Sequence, residues 1–507
     1  MKSFFKKIKI PFSKLIIALS LTIFLSGCAG HQLKESPREV NNEDLAAEAE
    51  KSNSPSKKPE TNNNFSFTLE EALNQALKQN RSLADVYDQV KIAEFSLIAS
   101  KAQFELKFFP KATIGLNETA TSNEKVLGSG LELRKNLITG TDLSIAPSTQ
   151  KNDDTYTTGM AFSITQPLLK GLSPDFNLAN VKGAEFSLRS ANRSLYISQV
   201  NTVLAVVSDI YNVIRQKEIV RLNEDSVKRL KGHVEAAKVK EKLGLVTPID
   251  IYRATIELKQ AQNNLAAVYE SFQDAQDALK ITLNLPLKAE VAVSAPLHYD
   301  LIKIEEQDAI DTALLSRIEI IHANDLIKER ERLSAVAKHN TLPELNLSIN
   351  YNRLGENSSF SQSTKLNEEL WGISLNTSTD LRRTQEKAQY EQSLVAVKSS
   401  NRNLAQVQDN ITRQAKQALR NLYTFEKQIE IQKEQIEQIK GKLKVAEVKF
   451  EHGLINNFDL IETEVQLRAA EINLLSAVIN YIVGTYRLRA SLGTLLEPYE
   501  EKTLNEF

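Results

Sequence analysis

The feature that most constrains this chain is a long helix that turns and returns as a second helix between Asn401 and Leu492. In its first arm, apolar residues recur at alternating steps of four and three, with one polar interruption at Gln432. The positions are Ile411, Ala415, Ala418, Leu422, Phe425, Ile429, Gln432, Ile436, Ile439, Leu443, Ala446 and Phe450. This heptad spacing predicts coiled-coil packing rather than an ordinary amphipathic helix, whose apolar face is wider. Gly453 ends the arm, because glycine tolerates the left-handed conformation that closes a helix.

The same hairpin pattern also occurs earlier in the chain. The segment 244–250 (Gly-Leu-Val-Thr-Pro-Ile-Asp) aligns with the segment 453–459 (Gly-Leu-Ile-Asn-Asn-Phe-Asp), 209 residues later. The register continues without a gap to Asn284 and Gly493, two residue types that suit a helix end. A length of 507 residues alone suggests three or four domains, but the internal repeat overrides that prior. We therefore expect two copies of one architecture.

Composition excludes several classes of function. The formal net charge of −1 and an aromatic content of 7% leave no basic surface for nucleic acid, and no glycine-rich phosphate loop occurs. One cysteine rules out disulfides and a thiolate zinc site. No ligand or triad spacing connects the six histidines, which are His31, His233, His298, His322, His339 and His452. We expect no cofactor, no metal and no enzymatic activity.

The N-terminus has the three-part layout of a secretory signal, with lysines before an apolar stretch from Leu15 to Leu25 and then Leu-Ser-Gly before Cys28. The small residues before Cys28 resemble a bacterial lipobox, in which the cysteine is lipidated and becomes the mature N-terminus. The alternative is an uncleaved anchor helix, but the apolar stretch is too short to span a bilayer. Ala29 after the cysteine implies, by the same resemblance, export to the outer membrane.

Pattern changes divide the rest of the chain. Thr68 and Glu71 form a capping-box pattern at a helix start, and the period changes from helical to alternating after Pro110. One helix, from about Asn177 to Leu243, would be on the order of 100 Å long and is rich in charge, so it must run through water against partner helices. The predicted segments are a signal peptide (1–27), a lipidated N-terminus and flexible linker (28–65), a first repeat (66–286, strands about 111–166, long hairpin 177–283), a link (287–303), a second repeat (304–495, strands about 344–378, long hairpin 384–492) and a tail (496–507).

The strand regions alternate between apolar and polar residues. In the second repeat, Leu347, Ile349 and Tyr351 lie on one face of a strand and Trp371 and Ile373 on the matching face of its partner, with polar residues between them. Such strands fit either a membrane barrel with a wet lumen or a half-buried soluble sheet. The signal and the long helices favour the membrane. Two hairpins give about four strands per chain, too few to close a barrel alone, so we expect oligomerisation.

The first strand region is longer than the second and holds an extra alternating pair. The pair consists of Leu131–Leu137 and Asp142–Ala146, on either side of the turn Thr139-Gly140-Thr141. It forms either an extracellular hairpin or two additional barrel strands, and the pattern alone leaves both open.

Three groups of residues carry a resemblance to a known family. Thr68-Leu69-Glu70-Glu71-Ala72-Leu73, Gln166-Pro167-Leu168-Leu169 and the paired glycine turns resemble the outer membrane efflux proteins, the TolC-like channels, and the resemblance covers about residues 66 to 495. It implies a mainly α fold with membrane β structure. In that fold three chains share a twelve-stranded β-barrel in the outer membrane and a twelve-helix coiled-coil tunnel in the periplasm. It also implies an equatorial belt built from the short helices and the chain ends, with a periplasmic adaptor protein and an inner-membrane pump as partners.

The turns of the two hairpins carry the candidate site. Asp459 and Glu462 lie on one turn of a helix start, with Asp250 as the counterpart of Asp459 in the first repeat. They are either an ordinary acidic helix N-terminus or, repeated by symmetry, a ring of carboxylates around a cation-favouring pore. By resemblance, Asp459 and Glu462 match the aspartates that line the periplasmic entrance. Phe450 and Ile455 stand where some members have the tyrosine and arginine of a polar latch, so closure here must rest on packing or on other pairs.

The turn residues themselves resemble the sites at which adaptor hairpins dock, although simple turn geometry also accounts for them. They are Gly244, Leu245, Val246 and Thr247 in the first repeat and Gly453, Leu454, Ile455 and Asn456 in the second. The sequence thus predicts a lipid-anchored, passive outer-membrane exit channel of a tripartite efflux or type I secretion system. The alternative is a lipid-anchored periplasmic coiled-coil spacer that has no pore.

Overall fold

The computed structural model describes residues 64–118, 123–244, 246–452, 454–455 and 457–499. The predicted signal peptide, the lipidation site Cys28 and the linker up to residue 63 lie outside the described residues. So do Leu245, Gly453 and Asn456 of the two turns and the end of the chain from residue 500. Contacts divide the described residues into a sheet unit (Lys101–Ala179 and Val336–Lys387) and a helical unit formed by the remainder.

Eight helices longer than ten residues lie in the described ranges, and they occur in the same order in both halves of the chain. They are α1 (Leu69–Gln79), α2 (Arg81–Lys101), α3 (Ala179–Lys242), α4 (Pro248–Thr282), α5 (Glu306–Ser316), α6 (Ile318–Asn340), α7 (Thr384–Glu451) and α8 (Asn457–Leu492). Single-turn helices also occur at Pro174–Asn177 and Phe360–Ser363. Each half therefore has two short helices, strands, and one long helical hairpin.

Local sequence explains where α1 begins. The Thr68 backbone N–H donates to a carboxylate oxygen of Glu71 at 2.8 Å, and the Glu71 N–H donates back to the Thr68 hydroxyl at 3.3 Å. This reciprocal pair satisfies two backbone donors that the first turn would otherwise leave unpaired. The capping box expected from the sequence is present.

The heptad seam of α7 is its packing surface. Every position of the seam is buried or half-buried in the helical unit. The first half of the seam, from Ile411 to Ile429, packs with Tyr481 and Leu488 of α8 in one apolar cluster. Ile436 and Ile439 pack with Ala470 in another. Deep burial of such side chains contributes on the order of 1.5–3 kcal/mol each, so the seam rather than helix propensity holds this hairpin together.

Two short strands of the helical unit were not predicted from the sequence. β1 (Asn64–Thr68) pairs in parallel with β6 (Glu290–Ser294), which lies in the segment predicted as a link. Val291 of β6 packs in one apolar cluster with Ala72 and Ala76 of α1 and with Ile210 of α3. The end of the linker and the segment between the repeats are therefore ordered against each other.

The sheet unit contains one antiparallel sheet of six strands in the described residues. The strands are β2 (Leu106–Glu118), β3 (Asn123–Asn136), β4 (Asp142–Asn152), β5 (Thr155–Pro167), β7 (Asn346–Asn357) and β8 (Glu368–Asn376). Their order across the sheet is β2-β3-β4-β5-β7-β8, with β2 and β8 at the edges. The expectation of about four strands per chain was therefore too low. The extra alternating pair forms β3 and β4, which are inserted into the sheet between β2 and β5.

Candidate functional site

The candidate site lies at the two hairpin turns of the helical unit. α3 ends at Lys242 and α4 begins at Pro248, so residues 243–247 make the first turn. Gly244 has a φ of +73°, in the left-handed region that favours glycine, and no neighbouring atom would meet a Cβ there. Backbone freedom, rather than close packing, is therefore the reason for a glycine at this position. The second turn joins α7 to α8, and its Leu454 N–H donates to the Lys449 carbonyl at 2.8 Å.

The predicted entrance residue Asp250 has a local structural partner. Its carboxylate accepts hydrogen bonds from the Thr247 hydroxyl at 2.8 Å and from the Thr247 backbone N–H at 3.1 Å. The side chain is buried in the third position of α4, where a carboxylate also interacts favourably with the helix dipole. Within one chain, Asp250 and Thr247 therefore fix the start of α4.

Asp459 and Glu462, in contrast, are both exposed on the first turns of α8. The Glu462 carboxylate accepts a hydrogen bond from the Gln466 amide at 3.2 Å. A groove of about 420 Å³ lies between the first turns of α4 and α8. Among its lining residues are Asp250, Arg253 and Glu257 of α4 and Phe458, Glu462 and Gln466 of α8. The fold thus brings Asp250 and Glu462 to one groove, and Asp459 is not among the residues that line it.

Phe450 and Ile455, which the resemblance places at the positions of a polar latch, belong to one apolar cluster. Phe450, Ala446 and Leu460 are buried together, with Leu443 and Ile455 packed against them. This cluster closes the end of the second hairpin by packing α7 against α8 across the turn.

A residue that the sequence analysis did not select joins the two hairpins at this end. The Lys240 ammonium, in the last turn of α3, donates a hydrogen bond to the Phe450 carbonyl at 2.8 Å and lies 3.6 Å from the centroid of the Phe450 ring. The carbonyl belongs to the last turn of α7, which has no further turn to donate to it and carries the negative end of the helix dipole. Lys240 therefore binds both the backbone and the ring of one residue on the other hairpin.

A second polar contact joins α3 to α8 farther from the turns. The Glu464 carboxylate is buried, lies 3.0 Å from His233 Nε2 and has Arg229 at 3.8 Å. Arg468 donates to the Ser226 hydroxyl at 3.0 Å, and burial, together with the nearby Arg229, lowers the pKa of Arg468 below its usual value. This polar layer fixes the pairing of α3 with α8. Within the described ranges, no group of three or more His, Cys, Asp or Glu side chains is placed to hold a metal ion.

Comparisons with known proteins agree with this architecture. Residues 309–494 match the model of the outer membrane efflux protein family. The chain is also 23% identical over 434 residues to the outer membrane protein TolC of Vibrio cholerae, an alignment that covers 82% of this chain and 91% of that protein. The chain is therefore similar to the outer membrane efflux proteins in its second repeat and to TolC over most of its length.

Solved outer membrane channels of the TolC type have the same fold as this chain. The outer membrane protein VceC of Vibrio cholerae superposes with a TM-score of 0.66 at 14% identity, over 84% of this chain and 96% of VceC. The CmeC outer membrane channel of Campylobacter jejuni gives a TM-score of 0.65 at 15% identity, over 93% of this chain and 95% of CmeC. The likeness extends over both the strand and the helix segments and establishes the fold class as TolC-like.

Proposed function

We propose that this protein is a passive exit channel of the outer membrane in a tripartite efflux or type I secretion assembly. The observation that carries the proposal is the combination of an open antiparallel sheet, apolar on one face, with helices of 64 and 68 residues in one chain. A sheet with free edges cannot remain unpaired in lipid, and helices of this length exceed any bilayer. Three copies of the chain would close both structures, as the family resemblance implies.

The proposed gate lies at the hairpin turns. Asp459 and Glu462 are exposed carboxylates on one face of α8, so three copies around an axis would give a ring of at least six negative charges at the entrance. Such a ring attracts cations and repels anions when the passage is narrow. Asp250, which is buried beside Thr247, contributes to the field of this ring from the groove.

The same turns are the proposed docking surface for the adaptor. Leu243 and Leu454 are exposed by 67% and 72%, one at each turn, and Gly244 has open space around it. Apolar side chains exposed at two equivalent turns are suited to the tip of a partner helical hairpin. The docking residues would be Gly244, Leu245, Val246, Thr247, Gly453, Leu454, Ile455 and Asn456.

The remaining parts of the assembly follow from the same proposal. Cys28 carries the lipid that attaches the mature N-terminus to the outer membrane. An inner-membrane pump supplies the energy, and the adaptor connects the pump to the turns. The chain performs no chemistry of its own, and cargo passes without covalent change.

Recording from purified protein in planar lipid bilayers tests the proposal. We expect discrete conductance steps with a preference for cations, and we expect the double variant Asp459→Asn, Glu462→Gln to lose most of that preference. The matched control, Glu391→Gln with Asp409→Asn, removes two exposed carboxylates from α7 away from the turns and should leave the preference unchanged.

Absence of conductance from both the native protein and the entrance variant would refute the channel. A pore-free spacer also predicts a protein that migrates identically before and after heating on a gel. A closed barrel in contrast resists detergent until it is heated.

A further inference from the structure

Most large apolar side chains of the six strands lie on one face of the sheet, whereas Phe109, Val126, Leu354 and Leu370 lie on the other. Residues paired across antiparallel strands point to the same face, so the register identifies which residues share it. One row runs Leu143, Ile164, Ile349 and Ile373, and the next runs Ile145, Phe162, Tyr351 and Trp371. Toward the β2 edge, Ile145 pairs with Leu133 of β3, and Leu133 pairs with Phe108 of β2, whereas the partner of Leu143 on β3 is Lys135. The apolar residues of this face are Leu106, Phe108, Ile114, Leu116, Leu127, Leu131, Leu133, Leu143, Ile145, Met160, Phe162, Ile164, Leu347, Ile349, Tyr351, Trp371, Ile373 and Leu375.

The opposite face is mainly polar over the same strands. One row joins Ser144, Ser163 and Asn350, and Thr165 and Ser348 face each other in the next. On β2 and β3, Lys111 pairs with Glu132 at 2.5 Å on this face. β3 and β4 therefore have the same apolar-out, polar-in pattern as the four strands that the family resemblance accounts for.

The turn between β3 and β4 lies at the end of the sheet from which the chain leaves β5 toward α3. The Thr141 hydroxyl donates to the Gln166 amide oxygen, and the Asn177 amide donates to the carbonyls of Ile138 and Gly171 at 3.0 and 2.7 Å. Gly140 has a φ of +83°, and a Cβ there would clash with the Gly171 carbonyl oxygen. β3 and β4 therefore run the full height of the sheet and do not form a hairpin that stands beyond its outer end.

Both edges of the sheet are unpaired within the described part of the chain, and they are compatible with each other. Six alternating strands leave β2 and β8 running in opposite directions, so β8 of one copy can pair with β2 of the next in the antiparallel sense. Leu116 on β2 and Trp371 on β8 are 80% and 74% exposed, and lipid would cover them. Strands of nine to fourteen residues are long enough to cross an outer membrane when tilted.

We infer that β3 and β4 span the membrane with the other strands, and that three copies close a barrel of eighteen strands rather than twelve. The partner at each edge is a second copy of this chain, and the inference rests on the proposed function. With strands about 4.8 Å apart and tilted by about 40°, the backbone diameter is about 36 Å for eighteen strands and about 24 Å for twelve. The membrane section of this channel is therefore half as wide again as the resemblance implies.

Single cysteines at matched positions test whether β4 spans the membrane. Ser144→Cys and Leu143→Cys lie on the polar and apolar faces of β4, and Asn350→Cys and Ile349→Cys lie in the same two rows on β7. A small charged maleimide is applied to outer membranes that contain the full-length protein, whose only native cysteine is Cys28. Because a thiol in lipid does not ionise, only polar-face positions should react. We expect Ser144→Cys and Asn350→Cys to be labelled several-fold more than Leu143→Cys and Ile349→Cys.

The outcomes separate this inference from the proposed function. If the β7 pair alternates but both β4 variants are labelled equally, the extra strands do not span the membrane, and the channel proposal stands without them. If neither pair alternates, the proposed membrane channel itself fails. The barrel diameter of the purified protein, measured by electron microscopy, gives the strand number independently of labelling. A diameter near 36 Å supports the inference, and one near 24 Å overturns it even if β4 alternates.

Discussion

The contact of Lys240 with Phe450 leads to a prediction about how the proposed entrance is held closed. Lys240 belongs to the first hairpin and Phe450 to the second, and any movement that separates the two turns breaks both of their interactions. We predict that Lys240→Met, which keeps the aliphatic stem and removes the charge, shifts the channel toward an open entrance.

The size of the effect follows from the two interactions. A hydrogen bond with a charged donor contributes about 1.5–3 kcal/mol, and a cation–π contact about 0.5–2 kcal/mol. Because Lys240 is partly exposed, we take about 1.4 kcal/mol for the pair of interactions, which corresponds to a factor of about ten in the open-to-closed ratio of one protomer. If three turns of a trimer open together, the factor approaches a thousand.

Single-channel recording measures this shift as a larger conductance or a larger fraction of time in the high-conductance state. Lys238→Met is the matched control, because Lys238 is two residues away on the same helix and pairs with Glu235 at 2.9 Å on the exposed surface. Phe450→Leu removes the ring but leaves the backbone carbonyl, so its effect should be smaller than that of Lys240→Met. Equal conductance for Lys240→Met, Lys238→Met and the native protein would show that this contact does not hold the entrance.

Three further predictions concern stability. Asp325→Asn should lower the unfolding temperature at neutral pH, because Asp325 binds Arg189 at 3.1 Å and Arg193 at 2.8 Å, and Arg193 is only 2% exposed; leaving that guanidinium without its carboxylate costs about 3–5 kcal/mol. Burial raises the pKa of Asp325, but the two arginines lower it by more, so the pKa is depressed overall. The difference in stability between the native protein and the variant should therefore be fully present above the unfolded-state pKa of about 4, and it should disappear as the pH falls through the lower folded-state pKa. Thr247→Val should cost about 1 kcal/mol by removing the hydroxyl that donates to Asp250, whereas the control Thr255→Val, which removes a half-buried hydroxyl that donates to the Ile251 carbonyl, should cost less. Gln432→Leu should raise the unfolding temperature, because the side-chain oxygen of Gln432 is buried in the α7 seam without a hydrogen-bond partner among the described residues, and an unchanged or lower temperature would indicate a partner supplied by another copy.

The helical part of the fold could be predicted because the sequence patterns that identify it are local, and the heptad pattern extends over many residues. Twelve seam positions from Ile411 to Phe450 repeat one spacing, and burial of that spacing against α8 is the packing it predicts. The start of α1 was equally local, since Thr68 and Glu71 are three residues apart and satisfy each other's backbone groups. Signals of this kind need no knowledge of the rest of the chain.

The short strands β1 and β6 were not predicted, because their pairing is not local. Phe65 and Val291 are paired across more than two hundred residues, and each strand has only five residues. A strand of five residues next to a polar linker has no periodicity long enough to distinguish it from a loop. Only the packing of Val291 against α1 and α3 gives these strands their place.

The number of strands was underestimated for a different reason, which is visible in β4. Pro147 lies inside this strand and has no N–H to donate, so in a single sequence it argues against a central strand. In the structure the pairing of β3 with β4 is interrupted between Gly130–Ser148 and Leu133–Ile145, which is the stretch that contains Pro147. The interruption of the pairing thus coincides with the residue that has no N–H to donate to β3.

At the proposed entrance, the contact that joins the two hairpins could not be predicted from the sequence. The resemblance predicts that Phe450 and Ile455 stand where some efflux proteins have a polar latch, and the structure places both residues in one apolar cluster. The sequence held no sign of the lysine that binds Phe450, because Lys240 lies 210 residues earlier on a different hairpin and is one of many lysines on a charged helix. Lys240 is identified only by its position in three dimensions, at the end of α3 and beside the Phe450 carbonyl at the end of α7. This charged contact between the two hairpins has a backbone carbonyl and an aromatic ring as its acceptors. Its strength should depend on Phe450 as a ring and on Lys240 as a cation, and on no carboxylate at all.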